Sequence, residues 1–228
     1  MTVLAEAFPF DFADQRQHMI DSQLRPNQVT DEAVLAAFGD VPREIFVPER
    51  LALAAYMDED IEVAPGRFLF EPMVMGKLLQ AAAIRPQDRV LEIGCNTGYG
   101  TAILTYLSNA VFAIDADAEL LSAAESNLTR LGRTATFIQT PFEAGCPDHA
   151  PFDVIFVHGA LGSMPESWGL QLANGGRMLA VVTASGDVAK VGKASLYVKG
   201  QTTLTRHEIF DANVEYLPSF EPPQKFSL

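Results

Sequence analysis

The spacing of apolar positions changes character near residue 88. Before that point the chain suggests helices with irregular connections. Acidic residues follow Thr30, which predicts a helix over Asp31–Gly39 with Thr30 as its N-cap. Pro42 and Pro48 break the stretch Val41–Pro48. A second helix is expected over Pro72–Ala83, with Pro72 in the first turn, where a missing N–H costs nothing. Beyond residue 88, short apolar runs alternate with helical segments. Arg89–Ile93, Ala110–Ile114, Ala135–Gln139, Asp153–Val157 and Arg177–Val182 have the length and composition of buried strands. Gly100–Leu107 fits a helix. Ala118, Leu121, Ala124 and Leu128 recur at helical spacing, and Gly132 stands where a helix stop belongs. Ser195–Lys199 and Thr203–Phe210 flank Gly200-Gln201 as a hairpin.

Strands alternating with helices predict an α/β fold: a Rossmann-like, doubly wound, mostly parallel sheet with helices on both faces. The hairpin adds an antiparallel C-terminal edge, and residues 1–88 form a helical N-terminal extension on the substrate side. Residues 89–228 are the expected ligand-binding domain, the two parts making one compact unit. A length of 228 residues and an apolar fraction of 48% suffice for a continuous core. No apolar run reaches the roughly 18 residues that span a bilayer, and the N-terminus shows no basic leader before an apolar segment. Cys95 and Cys146 have neither metal-ligand nor disulfide-framework spacing. A cytoplasmic protein without a membrane partner is the expectation. The net charge of −13 disfavours a nucleic-acid partner, because it repels phosphate. It leaves the oligomeric state open.

Candidate chemistry concentrates in Val90-Leu-Glu-Ile-Gly94-Cys-Asn-Thr-Gly98-Tyr-Gly100, between a strand and a helix. Gly94 permits a sharp turn off the strand. Gly98 permits close backbone approach to a ligand or to the sheet, and the following helix offers free N–H groups to an anion. Glu92 is placed to hold a cationic amine. Asp115 follows about 20 residues after the turn, where a carboxylate can accept from both hydroxyls of a ribose. A dinucleotide loop needs GxGxxG, and Asn96 and Tyr99 break it. The pattern Glu-x-Gly-x-x-x-Gly suits an S-adenosylmethionine (SAM) methyltransferase better.

From Arg16 to about Val182 the chain resembles the protein-L-isoaspartate O-methyltransferase family. The resemblance rests on Met19, Gln23-Leu24-Arg25, Val41-Pro42-Arg43-Glu44, Phe46-Val47-Pro48, Ala55-Tyr56-Met57-Asp58, the Val90–Gly94 loop, Pro151-Phe152-Asp153, Gln171-Leu172 and Gly175-Gly176-Arg177. It implies SAM as cofactor, S-adenosyl-L-homocysteine (SAH) as product, and methylation of the carboxylate of isoaspartyl residues in proteins or peptides. The cofactor-binding candidates are then Glu92, Gly94, Cys95, Asn96, Gly98, Asp115, Ala116, Phe142 and Glu143. The substrate-pocket candidates are Phe68, Phe70, Glu71, Pro72 and His158.

The chain departs from the family pattern at three places. Phe68-Leu-Phe-Glu-Pro72 stands where members usually carry a Thr-Ile-Ser-Gln-Pro type segment, so Phe70 replaces the active-site serine. Asn96 replaces a loop glycine, and Thr140-Pro-Phe-Glu143 replaces a Gly-Asp-Gly segment. No residue is therefore assigned a catalytic role. Two alternatives stay open: a SAM-dependent methyltransferase for another acceptor, a small molecule included, or a SAM-binding protein that has lost isoaspartyl activity. His158 is a pocket candidate or a hydrogen-bonded loop histidine. Phe68, Phe70 and Phe142 are pocket lining or core, and Trp168 is read as packing. Cys95 lacks an adjacent base and is not expected to be a nucleophile. The acidic stretch Asp58–Glu62 is read as a solvated surface, and Phe220–Leu228 as a segment that docks or frays.

Overall fold

The computed structural model describes residues 11–183 and 191–222. The chain enters through α1 (Phe12–Met19), capped by the Asp11 carboxylate, and runs on through a wider π-type turn over Ile20–Leu24. Next comes α2 (Glu32–Asp40). Its N-cap is Asp31 rather than the expected Thr30: one Asp31 carboxylate oxygen accepts from the N–H groups of both Ala33 and Val34. A carboxylate also meets the positive end of the helix dipole, which a hydroxyl does not. The Thr30 N–H donates instead to Gln80 Oε1 at 2.7 Å. The proline-broken stretch forms 3-10 turns over Arg43–Phe46 and Glu49–Ala54.

Two strands then appear that the pattern did not show. β1 (Ile61–Ala64) and β2 (Arg67–Leu69) pair antiparallel as a small ribbon separate from the main sheet. Strands of four and three residues are too short to display a reliable alternation. α3 (Pro72–Ala82) has Pro72 in its first turn and ends on Ala83 in the left-handed region.

The βαβ part follows the predicted order. It comprises β3 (Arg89–Ile93), α4 (Tyr99–Leu107), β4 (Ala110–Asp115), α5 (Ala118–Arg130), β5 (Thr136–Gln139), β6 (Phe152–Leu161), α6 (Glu166–Gln171) and β7 (Leu172–Val182). β8 (Gly192–Lys199) and β9 (Leu204–Ala212) close the edge as the antiparallel pair. The seven-stranded order is β5-β4-β3-β6-β7-β8-β9, with β3 to β7 all parallel, which is a Rossmann-like fold. β6 runs four residues past the expected Val157 because a register irregularity between Phe156 and Ala160 absorbs His158 and Gly159. His158 is therefore inside a strand, not in the loop after it.

Side chains alternate between two cores, as the two-residue strand period requires. Val90, Val154, Phe156, Leu179 and Val181 join a cluster with Met19, Phe38, Leu78 and Ile103 from the helices. Leu91, Ile93, Ile155, Val157, Met178 and Ala180 point the other way, onto Trp168, Leu217 and Phe220. Trp168 is fully buried, and its indole N–H donates to the Phe142 carbonyl at 2.8 Å. The docked tail lies along β6. Ala160 N–H donates to Glu215 O, Leu217 N–H to Ala160 O, and Gly162 N–H to Phe220 O. Residues 223–228 of the expected terminal segment lie outside the described residues.

Candidate active site

The strand order reverses at β3, with β4 on one side and β6 on the other. Ligands of open α/β sheets bind beyond the C-terminal strand ends at such a point. The glycine loop, Asp115 and His158 all lie there. Gly94 turns off β3 with φ +83, and its N–H and that of Cys95 donate to Ile114 O. Asn96 takes the left-handed region at φ 55, which asparagine tolerates better than most residues. Gly98 is needed for packing: a Cβ there would lie 2.9 Å from Ala124 of α5. Cys95 is fully buried among Ala113, Leu121 and Ala124, and burial pushes its thiol well above the ordinary range. A thiol held protonated in this way is a poor nucleophile.

Glu92 is held by its neighbours. It is fully buried, with one oxygen 2.5 Å from the Thr101 hydroxyl and the other 3.3 Å from His158 Nδ1. On the far side, His158 Nε2 accepts the Phe70 backbone N–H at 3.2 Å. An acceptor at Nε2 places the ring proton on Nδ1, directed at Glu92. Phe70 lies over the imidazole with centroids 4.3 Å apart, and is 1% exposed. Thr101, Glu92, His158 and Phe70 thus form one packed, hydrogen-bonded line beneath the loop.

The residues of the N-terminal resemblance converge on the same segment. Arg43 is fully buried. Its Nε donates to Ala55 O and its Nη2 to Phe70 O, both at 2.7 Å, and its guanidinium lies over the Tyr99 ring. The Tyr56 hydroxyl accepts from Arg43 N–H and donates to Glu44.

The largest difference from expectation is at Asp115. Arg67 of β2 reaches it with both terminal nitrogens, Nη1 to Oδ1 at 2.8 Å and Nη2 to Oδ2 at 2.6 Å. The Asp117 N–H also donates to Oδ1 and the Asn96 N–H to Oδ2. Asp115 is fully buried and Arg67 is 7% exposed. The Arg67 guanidinium stands 5.3 Å over the ring of Phe142, one of the cofactor-binding candidates. The Asn96 side-chain N–H donates to Phe68 O, tying the loop to the ribbon. Glu143 and Ala116 are exposed at the rim.

Against this geometry, the family model of protein-L-isoaspartate(D-aspartate) O-methyltransferase matches residues 14–218. The chain belongs to this family. It is 42% identical over 169 residues to a protein-L-isoaspartate O-methyltransferase of Koribacter versatilis, covering 74% of this chain and 76% of that one. Identity to the Methylorubrum extorquens relative is 39% over 176 residues, 77% of each chain. Two solved structures share the fold. A protein-L-isoaspartate O-methyltransferase aligns over 91% of this chain and 67% of its own, with TM-score 0.77 and 23% identity. A Plasmodium falciparum protein described in complex with SAH aligns over 92% and 99%, with TM-score 0.75 and 15% identity.

The family's cofactor is SAM, and in this ligand-free chain side chains fill the part of the strand-end site next to Asp115. Asp115 already receives a donor at each of its four lone-pair positions. Leu217 lies against Gly94, where a Cβ would come within 2.7 Å of its Cδ1. The cavity left between Arg67, Phe70, Asn96, His158 and Leu217 is about 10 Å³. That is space for about one water, against roughly 300–1,000 Å³ for ordinary small-molecule pockets. An open groove of about 430 Å³ remains beyond Asp115, lined by Ala116, Gln139, Phe142 and Glu143. Arg67, Thr101 and Leu217 were not singled out in the sequence.

The acidic stretch is not simply solvated. The Asp60 carboxylate accepts the Glu71 N–H at 2.7 Å, and burial raises its pKa. Burial, then the charges of Asp60 and Asp58, lift the Glu71 carboxyl from 4.5 to about 7. A carboxyl raised in the folded state favours the native protein while protonated. Its contribution is complete below pH 4.5 and is lost as pH rises through about 7. Glu71→Gln is expected to remove that decline, so the melting temperatures of wild type and variant diverge across this window. Parallel profiles would contradict the assignment.

Proposed function

We propose that this chain works as a SAM-dependent protein-L-isoaspartate O-methyltransferase, acting on the carboxylate of isoaspartyl residues in proteins or peptides. The observation that carries this reading is the family match over residues 14–218. The acceptor is ionised at neutral pH, so no strong general base is required. The work left to the protein is positioning and exclusion of water. Arg43 suits the first task, because it fixes the Phe70 carbonyl at the entry to α3. The packed line of Phe70, His158 and Glu92 suits the second. The carboxylates of Asp58 and Asp60 beside Glu71 disfavour a substrate carboxylate close to them.

A second reading is favoured by Phe70, which is buried where the family usually carries a serine: the chain binds SAM and has lost isoaspartyl activity. Transfer of labelled methyl from SAM to an isoaspartyl peptide, beside its aspartyl twin, decides between them. Transfer to the isoaspartyl peptide alone supports the enzyme. No transfer to either peptide by wild type, at concentrations that saturate relatives, overturns it in favour of the second reading.

A further inference from the structure

The ribose of a nucleoside cofactor offers two hydroxyls to a carboxylate at the end of the second strand of such a sheet. In this chain a guanidinium offers two N–H groups to that carboxylate, in the same bidentate manner. We infer that Arg67 is an internal competitor for the cofactor, occupying the ribose position on Asp115. The inference rests on the reading of Asp115 as the ribose carboxylate and is independent of the methyl acceptor.

Three observations converge on it. The Asp115 oxygens have no acceptor capacity left while Arg67 is in place, since the Asn96 and Asp117 N–H groups fill the remaining positions. The guanidinium also covers the Phe142 ring. Its carrier is a two-stranded ribbon outside the main sheet, turning at Gly66 (φ +69), where an added Cβ would meet nothing within 4 Å. The ribbon tip is thus the element whose displacement would withdraw Arg67. Ligand binds only the fraction of molecules in which the pair is broken, so apparent affinity falls by that fraction.

The test is calorimetric titration of SAH into the full-length wild type and Arg67→Gln. Glutamine leaves Asp115 with both backbone donors, so the carboxylate is not stranded. The variant is expected to bind SAH about 100-fold more tightly than wild type, and SAH is expected to raise its melting temperature more. Arg67→Lys, which keeps the charge but loses the fork, is expected to fall between them, and it carries the comparison if Arg67→Gln does not fold. Equal affinity in wild type and variant overturns the inference, whether both bind tightly or neither binds. The outcome is separable from the proposed reaction. A variant that gains SAH affinity yet methylates no isoaspartyl peptide keeps the competitor and removes the repair activity. A wild type that methylates the peptide, with SAH affinity unchanged in Arg67→Gln, does the reverse.

Discussion

Asp115→Ala is expected to destabilise the protein by about 3–5 kcal/mol, because it strands a buried guanidinium rather than merely removing a ligand contact. The Arg67 side chain is 8% exposed and Asp115 is fully buried, so solvent cannot replace the lost partner without opening the ribbon. For a chain of this size the loss corresponds to a fall in melting temperature on the order of 10 °C. Arg67→Gln also breaks the pair, but Asp115 keeps the Asn96 and Asp117 N–H groups, which offset part of the cost. Adding Arg67→Met to Asp115→Ala is expected to recover most of the loss, since it removes the stranded charge and fills the space with apolar atoms. Thermal or denaturant unfolding of Asp115→Ala, Arg67→Met and the double variant checks this. A strictly additive double variant would show that the pair is not coupled. A residue present solely to receive a cofactor would leave the folding of the empty protein nearly unchanged on truncation.

Arg43→Ala is the second large effect, at about 3–5 kcal/mol. Its partners are the carbonyls of Ala55 and Phe70, each left buried without a donor at a cost of about 1–3 kcal/mol. The cation–π contact to Tyr99, at 4.7 Å from the ring centroid, is lost as well. Arg43→Lys is not expected to rescue it, because one ammonium cannot reproduce a planar fork aimed at two carbonyls. Denaturant midpoints at constant m-value measure both. A lysine variant as stable as wild type would contradict this account of the site.

The frame of the molecule was legible because each parallel strand is a compact apolar run, and α5 between two of them has an apolar stripe with Gly132 as its stop. Gly94 and Asp115 were placed correctly at adjacent strand ends from their spacing. The partners of the site were not legible, for a definable reason. Arg67 lies 48 residues before Asp115, on a three-residue strand with no periodicity to reveal it. The one available signal was its position directly before Phe68–Pro72, the segment that departs from the family pattern. The partners of Glu92 were not legible because they come from Thr101, in the first turn of α4, and from His158, on a neighbouring strand. The strand was expected to end at Val157, just before His158, because a register irregularity that carries a strand onward leaves no mark in hydropathy. Thr30 lost its cap to Asp31 because two good capping residues stood side by side, and the stronger acceptor prevailed.

A high-resolution crystal structure of the wild-type protein grown with millimolar SAH shows which group Asp115 holds. Mutual exclusion at Asp115 is the predicted result. Either the Arg67 contacts at 2.8 and 2.6 Å persist and no nucleoside density lies on the carboxylate, or SAH is bound and Arg67 has left it. A structure with the ribose hydroxyls on Asp115 and Arg67 still paired to both its oxygens would contradict the account.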